Sequence, residues 1–286
     1  MSKQHVTFWF LFLLSAFSVV SWADEVRDPV KVHVPPGYTG ATAVPLVLLL
    51  HGYGASGALE EHYMNLSAQA DADVFLLALP NGTKDAFGMR YWNATDACCS
   101  HGRDFPDDST YLLDVIDQLG ATYNVDPLRI YVVGHSNGGF MAHRLACDHA
   151  DRIAAVVSLE AATWEDQSNC NPARAVAVLE IHGTADHVIL YRGNCAQHPV
   201  PCYPAAPETV ADWAVLNHCD VTPASLPVHL NLTDDVAGNE TDVLDYPGCD
   251  ALGAASLWTV NGGTHTPGLS AFFSAAVVQF LLTHHR

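Results

Sequence analysis

Basic side chains are scarce in this sequence: 12 Lys and Arg stand against 31 Asp and Glu, a formal net charge of −19. Nucleic acid and anionic membrane faces draw positive proteins, so neither is expected as a partner, and a neutral substrate is favoured. Metal-site spacings are missing too. None of the 8 cysteines sits in a C-x-x-C pair or a Cys/His array, so no metal, no cofactor and no thiol redox chemistry are expected. Only one apolar run is long enough to draw comment, at residues 6–20, and it is short for a membrane span. Internal repeats and low-complexity segments are absent.

That single run has a use. Lys3 precedes it and Ser21-Trp22-Ala23 follows it, giving the basic start, apolar middle and small-x-small end of a secretory signal. Residues 1–23 are therefore expected to be a signal peptide, and 24–286 a single catalytic domain, secreted to the extracellular space or periplasm and acting as a monomer. Export makes disulfides the natural state of the cysteines. Proximity to the expected elements suggests Cys147 with Cys170, Cys195 with Cys202, and Cys219 with Cys249. Cys98 and Cys99 are left to bridge each other or to bond elsewhere.

Continuous apolar stretches at 45–51, 73–80, 129–135, 152–159, 175–181 and 256–260 read as strands buried on both faces. Helical patterns separate several of them, as in Tyr111, Leu112, Val115, Ile116 and Leu119. This alternation predicts an α/β fold with a mostly parallel, doubly wound sheet flanked by helices. The proline-rich stretch 192–250 reads as a decorated connection rather than a second domain. The adjacent carboxylates Asp107 and Asp108 are explained by capping of the helix that follows them.

The most informative stretch is Gly134-His135-Ser136-Asn137-Gly138, which ends an apolar strand and opens a helix. A G-x-S-x-G sequence in that context is a nucleophile elbow, a turn so tight that glycine is needed on both sides of the serine. A serine hydroxyl needs a base, and the base needs an acid to orient it. Among 16 histidines, His265 is preferred because it follows the last strand in a glycine-containing loop; Asp186 holds the matching place after the preceding strand. The order Ser136, Asp186, His265 is that of α/β-hydrolases. His182 is read as a support for its strand-end loop, and His135 as facing away from the serine hydroxyl. The amides of Tyr53, after His51-Gly52, and of Asn137 are the candidate oxyanion donors.

The combination of His51-Gly52, Tyr91 through Cys99, Gly134 through Gly139, His182-Gly183-Thr184-Ala185-Asp186 and Gly262 through Gly268 resembles the secreted polyhydroxybutyrate depolymerase and feruloyl esterase (LpqC-like) family of α/β-hydrolases. The resemblance implies a serine carboxylic-ester hydrolase. Its substrates would be hydroxycinnamate esters of plant polysaccharides or polyesters, small or polymeric. Family members often carry Cys or Gly where this chain has Tyr53, whose ring resembles the clamp position of polyethylene terephthalate hydrolases. Tyr53, Trp92, His135, Trp164 and Val188 are accordingly expected to line a substrate groove, although buried packing would equally account for the tryptophans. A peptidase of the same fold and a polymer-binding protein without turnover are the alternatives.

Overall fold

The computed structural model describes residues 27–100, 105–197 and 201–286, so the signal segment expected at 1–23 lies outside the described residues. In chain order the first elements are β1 (Lys31–His33), β2 (Val44–Leu50), α1 (Gly57–Met64), α2 (Leu66–Asp73) and β3 (Leu76–Leu79). A short pair β4 (Thr83–Lys84) and β5 (Arg90–Tyr91) precedes α3 (Asp108–Thr122), β6 (Val125–His135), α4 (Asn137–Asp148), β7 (Ala155–Leu159) and β8 (Ala177–Gly183). The chain closes with α5 (Ala206–Leu216), β9 (Ala224–Leu230), β10 (Thr241–Asp245), β11 (Ala254–Val260) and α6 (Phe273–Leu282).

Nine strands form one sheet in the order β1-β3-β2-β6-β7-β8-β11-β10-β9. Its centre, β3 through β11, is parallel, while β1 at one side and β10 and β9 at the other are antiparallel. The unbroken apolar character of β2 follows from burial on both faces. Leu46, Leu48 and Leu50 enter one core with Phe140, Leu145 and Trp213, whereas Val47 and Leu49 enter the other with Val277 and Leu281. Each leucine so buried stabilises the fold by about 1.5–3 kcal/mol relative to exposure.

Three expectations change. The strand expected to begin at residue 73 starts at Leu76, because α2 runs through Asp73 and Val74 ends that helix in the left-handed conformation. Stretch 192–250 contributes two strands of the sheet, β10 and the edge strand β9, rather than only a connection. Of the acidic pair, Asp107 caps α3 by accepting the Thr110 N–H at 3.1 Å. Asp108 instead is buried and takes Arg27 at 2.5 Å and the Asn93 N–H at 2.6 Å. The cysteines are joined as Cys147–Cys170, Cys195–Cys202, Cys219–Cys249 and the adjacent Cys98–Cys99.

Candidate active site

Ser136 sits between the end of β6 and the start of α4 at φ 53° and ψ −122°, a strained backbone for a residue with a side chain. The turn tolerates no bulk on either flank. A Cβ on Gly134 would lie 2.1 Å from the Gly138 carbonyl oxygen, and one on Gly138 would lie 2.1 Å from that of Leu50. These contacts are far inside van der Waals range, which is why the sequence has glycine at both places.

Two loops carry the partners to the serine. His265 Nδ1 faces Asp186 Oδ2 at 2.7 Å, so it holds the ring proton and donates it. Nε2 is then free to accept from the Ser136 hydroxyl, 3.0 Å away. The other Asp186 oxygen, Oδ1, accepts the Val188 and Ile189 N–H groups at 2.7 and 3.0 Å. Burial opposes ionisation of Asp186, but His182 and His265 outweigh it and hold the carboxyl well below the usual carboxylate range. The two loops are also laced together: Ala185 N–H donates to the Gly263 carbonyl at 2.9 Å, and Gly262 N–H to the Thr184 hydroxyl at 2.8 Å.

The loop after β2 lies against the nucleophile, a Cβ built on Gly52 falling 3.5 Å from Ser136 Cβ. His51 fixes its shape. Its Nε2 accepts the Gly82 N–H at 3.0 Å, leaving Nδ1 to donate to the Gly52 carbonyl at 2.8 Å. Burial pushes the His51 imidazole down to about 4, so it stays neutral in this role. The Gly52 N–H is taken by Glu60 Oε2 at 3.1 Å, so it is not offered to a substrate. Asn137, the first residue of α4, has an N–H with no partner inside the helix.

Residues 45–184 match the alpha/beta hydrolase fold family. The chain has the α/β-hydrolase fold. It is 30% identical to Feruloyl esterase B of Piromyces equi over 260 residues, covering 88% of this chain and 45% of that protein. It is 29% identical to Putative esterase NocK of Nocardia uniformis subsp. tsuyamanensis over 265 residues, covering 87% and 73%. The chain thus spans less than half of the first relative and about three quarters of the second. Among solved structures, acetyl xylan esterase from Aspergillus awamori shares the fold with a TM-score of 0.61 at 12% identity, covering 88% of this chain and 93% of that one.

Three of the residues expected to line a groove, Trp92, Trp164 and His135, are buried. Trp92 is fully buried: its indole N–H donates to the His51 carbonyl at 3.0 Å, and its main chain pairs with the Asn137 side chain. It shapes the elbow from behind and cannot touch substrate. Trp164 is likewise buried in the core. His135 does not line the groove either; it donates from Nε2 to the His265 carbonyl at 2.8 Å and so anchors the histidine loop, with burial pushing its imidazole down to about 4. Val188, 62% exposed, and the half-buried Tyr53 remain at the rim.

A rim element that the sequence reading missed is the β4–β5 hairpin. Tyr53 donates its hydroxyl to Asp85 Oδ2 at 2.5 Å, and Gly54 N–H donates to the Arg90 carbonyl at 2.7 Å, clasping the hairpin to the loop after β2. Asp85 Oδ1 accepts the Phe87 and Met89 N–H groups at 2.8 and 2.9 Å, folding the tip so that Phe87 stands 86% exposed beside Met89. Asp85-Ala86-Phe87-Gly88 is the signal: an acidic turn residue and a glycine bracketing an aromatic. Among the described residues, Glu160, His182 and Asp186 come close enough together to suggest a metal site. His182 Nε2 faces the Ile189 carbonyl at 2.9 Å, which can only accept, so that nitrogen carries hydrogen and has no lone pair for a metal.

Proposed function

We propose that this α/β-hydrolase is a secreted serine hydrolase of carboxylic esters, acting on feruloyl-type esters of plant polysaccharides. The observation that carries the reading is the continuous relay from the Ser136 hydroxyl through His265 to Asp186, at 3.0 and 2.7 Å. In the proposed cycle His265 Nε2 takes the hydroxyl proton as Oγ attacks the ester carbonyl, and the ionised Asp186 supports the imidazolium. The amides of Tyr53 and Asn137 receive the oxyanion. His265 returns the proton to the departing alcohol, leaving an acyl-Ser136. Water, deprotonated by the same imidazole, then releases the acid.

The names of the relatives, feruloyl esterase and esterase, support the ester class. The exposed Phe87, Met89 and Val188 around the site support a large apolar acyl group, and the same rim suits a polyester such as polyhydroxybutyrate or an aromatic polyester. Four disulfides support an oxidising compartment. The test is a turnover screen with methyl ferulate, short nitrophenyl esters, polyhydroxybutyrate and an aromatic polyester, run beside Ser136→Ala. Ferulate release by the parent and none by the variant is expected. Equal rates for the two proteins would overturn the assignment.

A further inference from the structure

Behind Asp186 lie four buried titratable side chains that the acyl-transfer cycle does not use: His143, Glu160, Glu180 and His182. Their hydrogen-bond partners fix most of the protons, and the ionisation of Glu180 fixes the rest. An indole N–H only donates, so Trp213 Nε1, 3.0 Å from His143 Nδ1, makes that nitrogen an acceptor. His143 therefore carries its proton on Nε2 and donates it to Glu180 Oε2 at 3.1 Å. Glu180 Oε1 accepts the Ala161 N–H at 3.2 Å and faces His182 Nδ1 at 3.1 Å. Glu180 is met by N–H groups on both oxygens; burial opposes its ionisation, but the hydrogen bonds of His143 and His182 outweigh it and hold the carboxyl below its ordinary range, so His182 Nδ1 donates to a carboxylate.

The other nitrogen of His182 is equally constrained. Nε2 lies 2.9 Å from the Ile189 carbonyl oxygen, which can only accept. Both nitrogens therefore carry hydrogen, and the ring is a cation with no lone pair left for a metal. Its remaining neighbours are the edge-on ring of Tyr191 at 5.7 Å, Glu160 Oε2 at 3.3 Å and Asp186 Oδ2 at 3.6 Å. At 3.6 Å it acts on Asp186 through charge, and the oxygen it faces is the one that holds His265.

We propose that His182 is a positioning residue for the reaction: a permanently charged, buried imidazolium that keeps Asp186 ionised and its Oδ2 turned toward His265, so that the relay works in acid. The inference rests on the ester-hydrolase reading of the Ser136 site. Charge balance agrees with it. Burial, with Asp186 close by, drives the Glu160 carboxyl well up and leaves it neutral, while its carboxylate and hydrogen-bonded neighbours raise His182 against burial. Glu180 and Asp186 then carry one negative charge each and His182 one positive. The cluster keeps a single net negative charge, the amount that a protonated His265 neutralises.

Two measurements test this. Long-range 1H–15N correlation spectra of histidine-labelled protein at pH 9, where exposed imidazoles are neutral, should show one ring protonated on both nitrogens and in contact with Ile189. A singly protonated His182 would overturn the inference even if ester turnover is normal, and a doubly protonated ring would stand even if no ester is turned over. In His182→Gln the acid limb of kcat/KM on a nitrophenyl ester should move up by about one pH unit or more, as expected when an opposite charge within about 4–6 Å is lost. An unmoved limb overturns the role. Should that variant not fold, Glu160→Gln replaces a neutral acid by a neutral amide; its histidine spectrum should keep the doubly protonated ring, and a ring reduced to one proton would refute the charge count.

Discussion

Asn137 enters the sequence argument only through its backbone amide, yet its side chain should be among the costliest in the molecule to remove. Oδ1 accepts the Trp92 N–H at 2.7 Å and Nδ2 donates to the Trp92 carbonyl at 2.9 Å, with both residues fully buried. In Asn137→Ala, one buried N–H and one buried C=O lose their partners, at about 1–3 kcal/mol each, so the loss should be roughly 2–6 kcal/mol. For a chain of this size that lowers Tm by about 5–20 °C. Asn137→Asp discriminates the cause. As a carboxylic acid it can still accept from the Trp92 N–H and donate to the Trp92 carbonyl; as a carboxylate it sets a buried charge against that carbonyl. Its folded-state pKa is therefore raised, and its stability should be greatest below about pH 4 and fall as pH rises above the unfolded carboxyl value. Thermal unfolding followed by circular dichroism from pH 4 to 8, with disulfides intact, reads both effects. An alanine variant melting within a degree of the parent, or an aspartate variant with the parent's pH dependence, would refute the reasoning.

Three further outcomes are expected. Asp186→Asn should keep the loop geometry through its Oδ1 contacts but lower kcat by roughly 10⁴, because the neutral amide favours the wrong tautomer of His265; stopped assays on a nitrophenyl ester give the ratio. Burial pushes the Glu60 carboxyl up to about 7 from its ordinary 4.5, so its contribution to stability is full below pH 4.5 and declines as pH rises toward 7. Glu60→Gln keeps an acceptor for Gly52 and should remove that slope, by at most about 3 kcal/mol, in urea titrations at pH 4.5 and 7.5. Phe87→Ala should lower kcat/KM severalfold on methyl ferulate and leave nitrophenyl acetate unchanged, since the ring stands at the hairpin tip clasped to the loop after β2 rather than at the reacting atoms.

The elbow and the order of its partners were legible because each is a local pattern at a strand end. Gly134 is needed by a contact four residues along, at Gly138, and the G-x-S-x-G spacing marks Gly138 even though the backbone it meets is that of distant Leu50; Asp186 and His265 follow soon after β8 and β11. Surroundings assembled from distant segments were not. Nothing local joins Glu60 to Gly52, or tells that Trp92 turns inward onto His51 while Phe87, five residues earlier, turns out. Strands β4 and β5 have two residues each and show no alternation. Strand β9 carries Pro227 and is exposed along nearly its whole length, so it lacks the apolar run by which the inner strands are recognised. One signal was available and unused. Glu180 interrupts a strand in which every residue is buried, and a carboxyl group there demands partners.

That partner set also shows why two adjacent strands end alike. Ser136 after β6 and Glu160 after β7 both have positive φ, 53° and 56°, without being glycine. Each is pinned by donating its backbone N–H to the neighbouring strand, Ser136 to Leu159 at 2.8 Å and Glu160 to Ile181 at 2.9 Å. Such backbones cost of order 1–3 kcal/mol each and persist only where the surroundings hold them. At the first position the strain presents a hydroxyl to His265. At the second it turns a carboxyl group over the Gly183 N–H, 3.0 Å away, and toward His182. The strain at Glu160 has no use in attack on a carbonyl, but it has one if the charge behind Asp186 must be set by a neutral acid held at a fixed place. The sheet thus bears a similar cost twice, once for the nucleophile and once for the electrostatics that support its base.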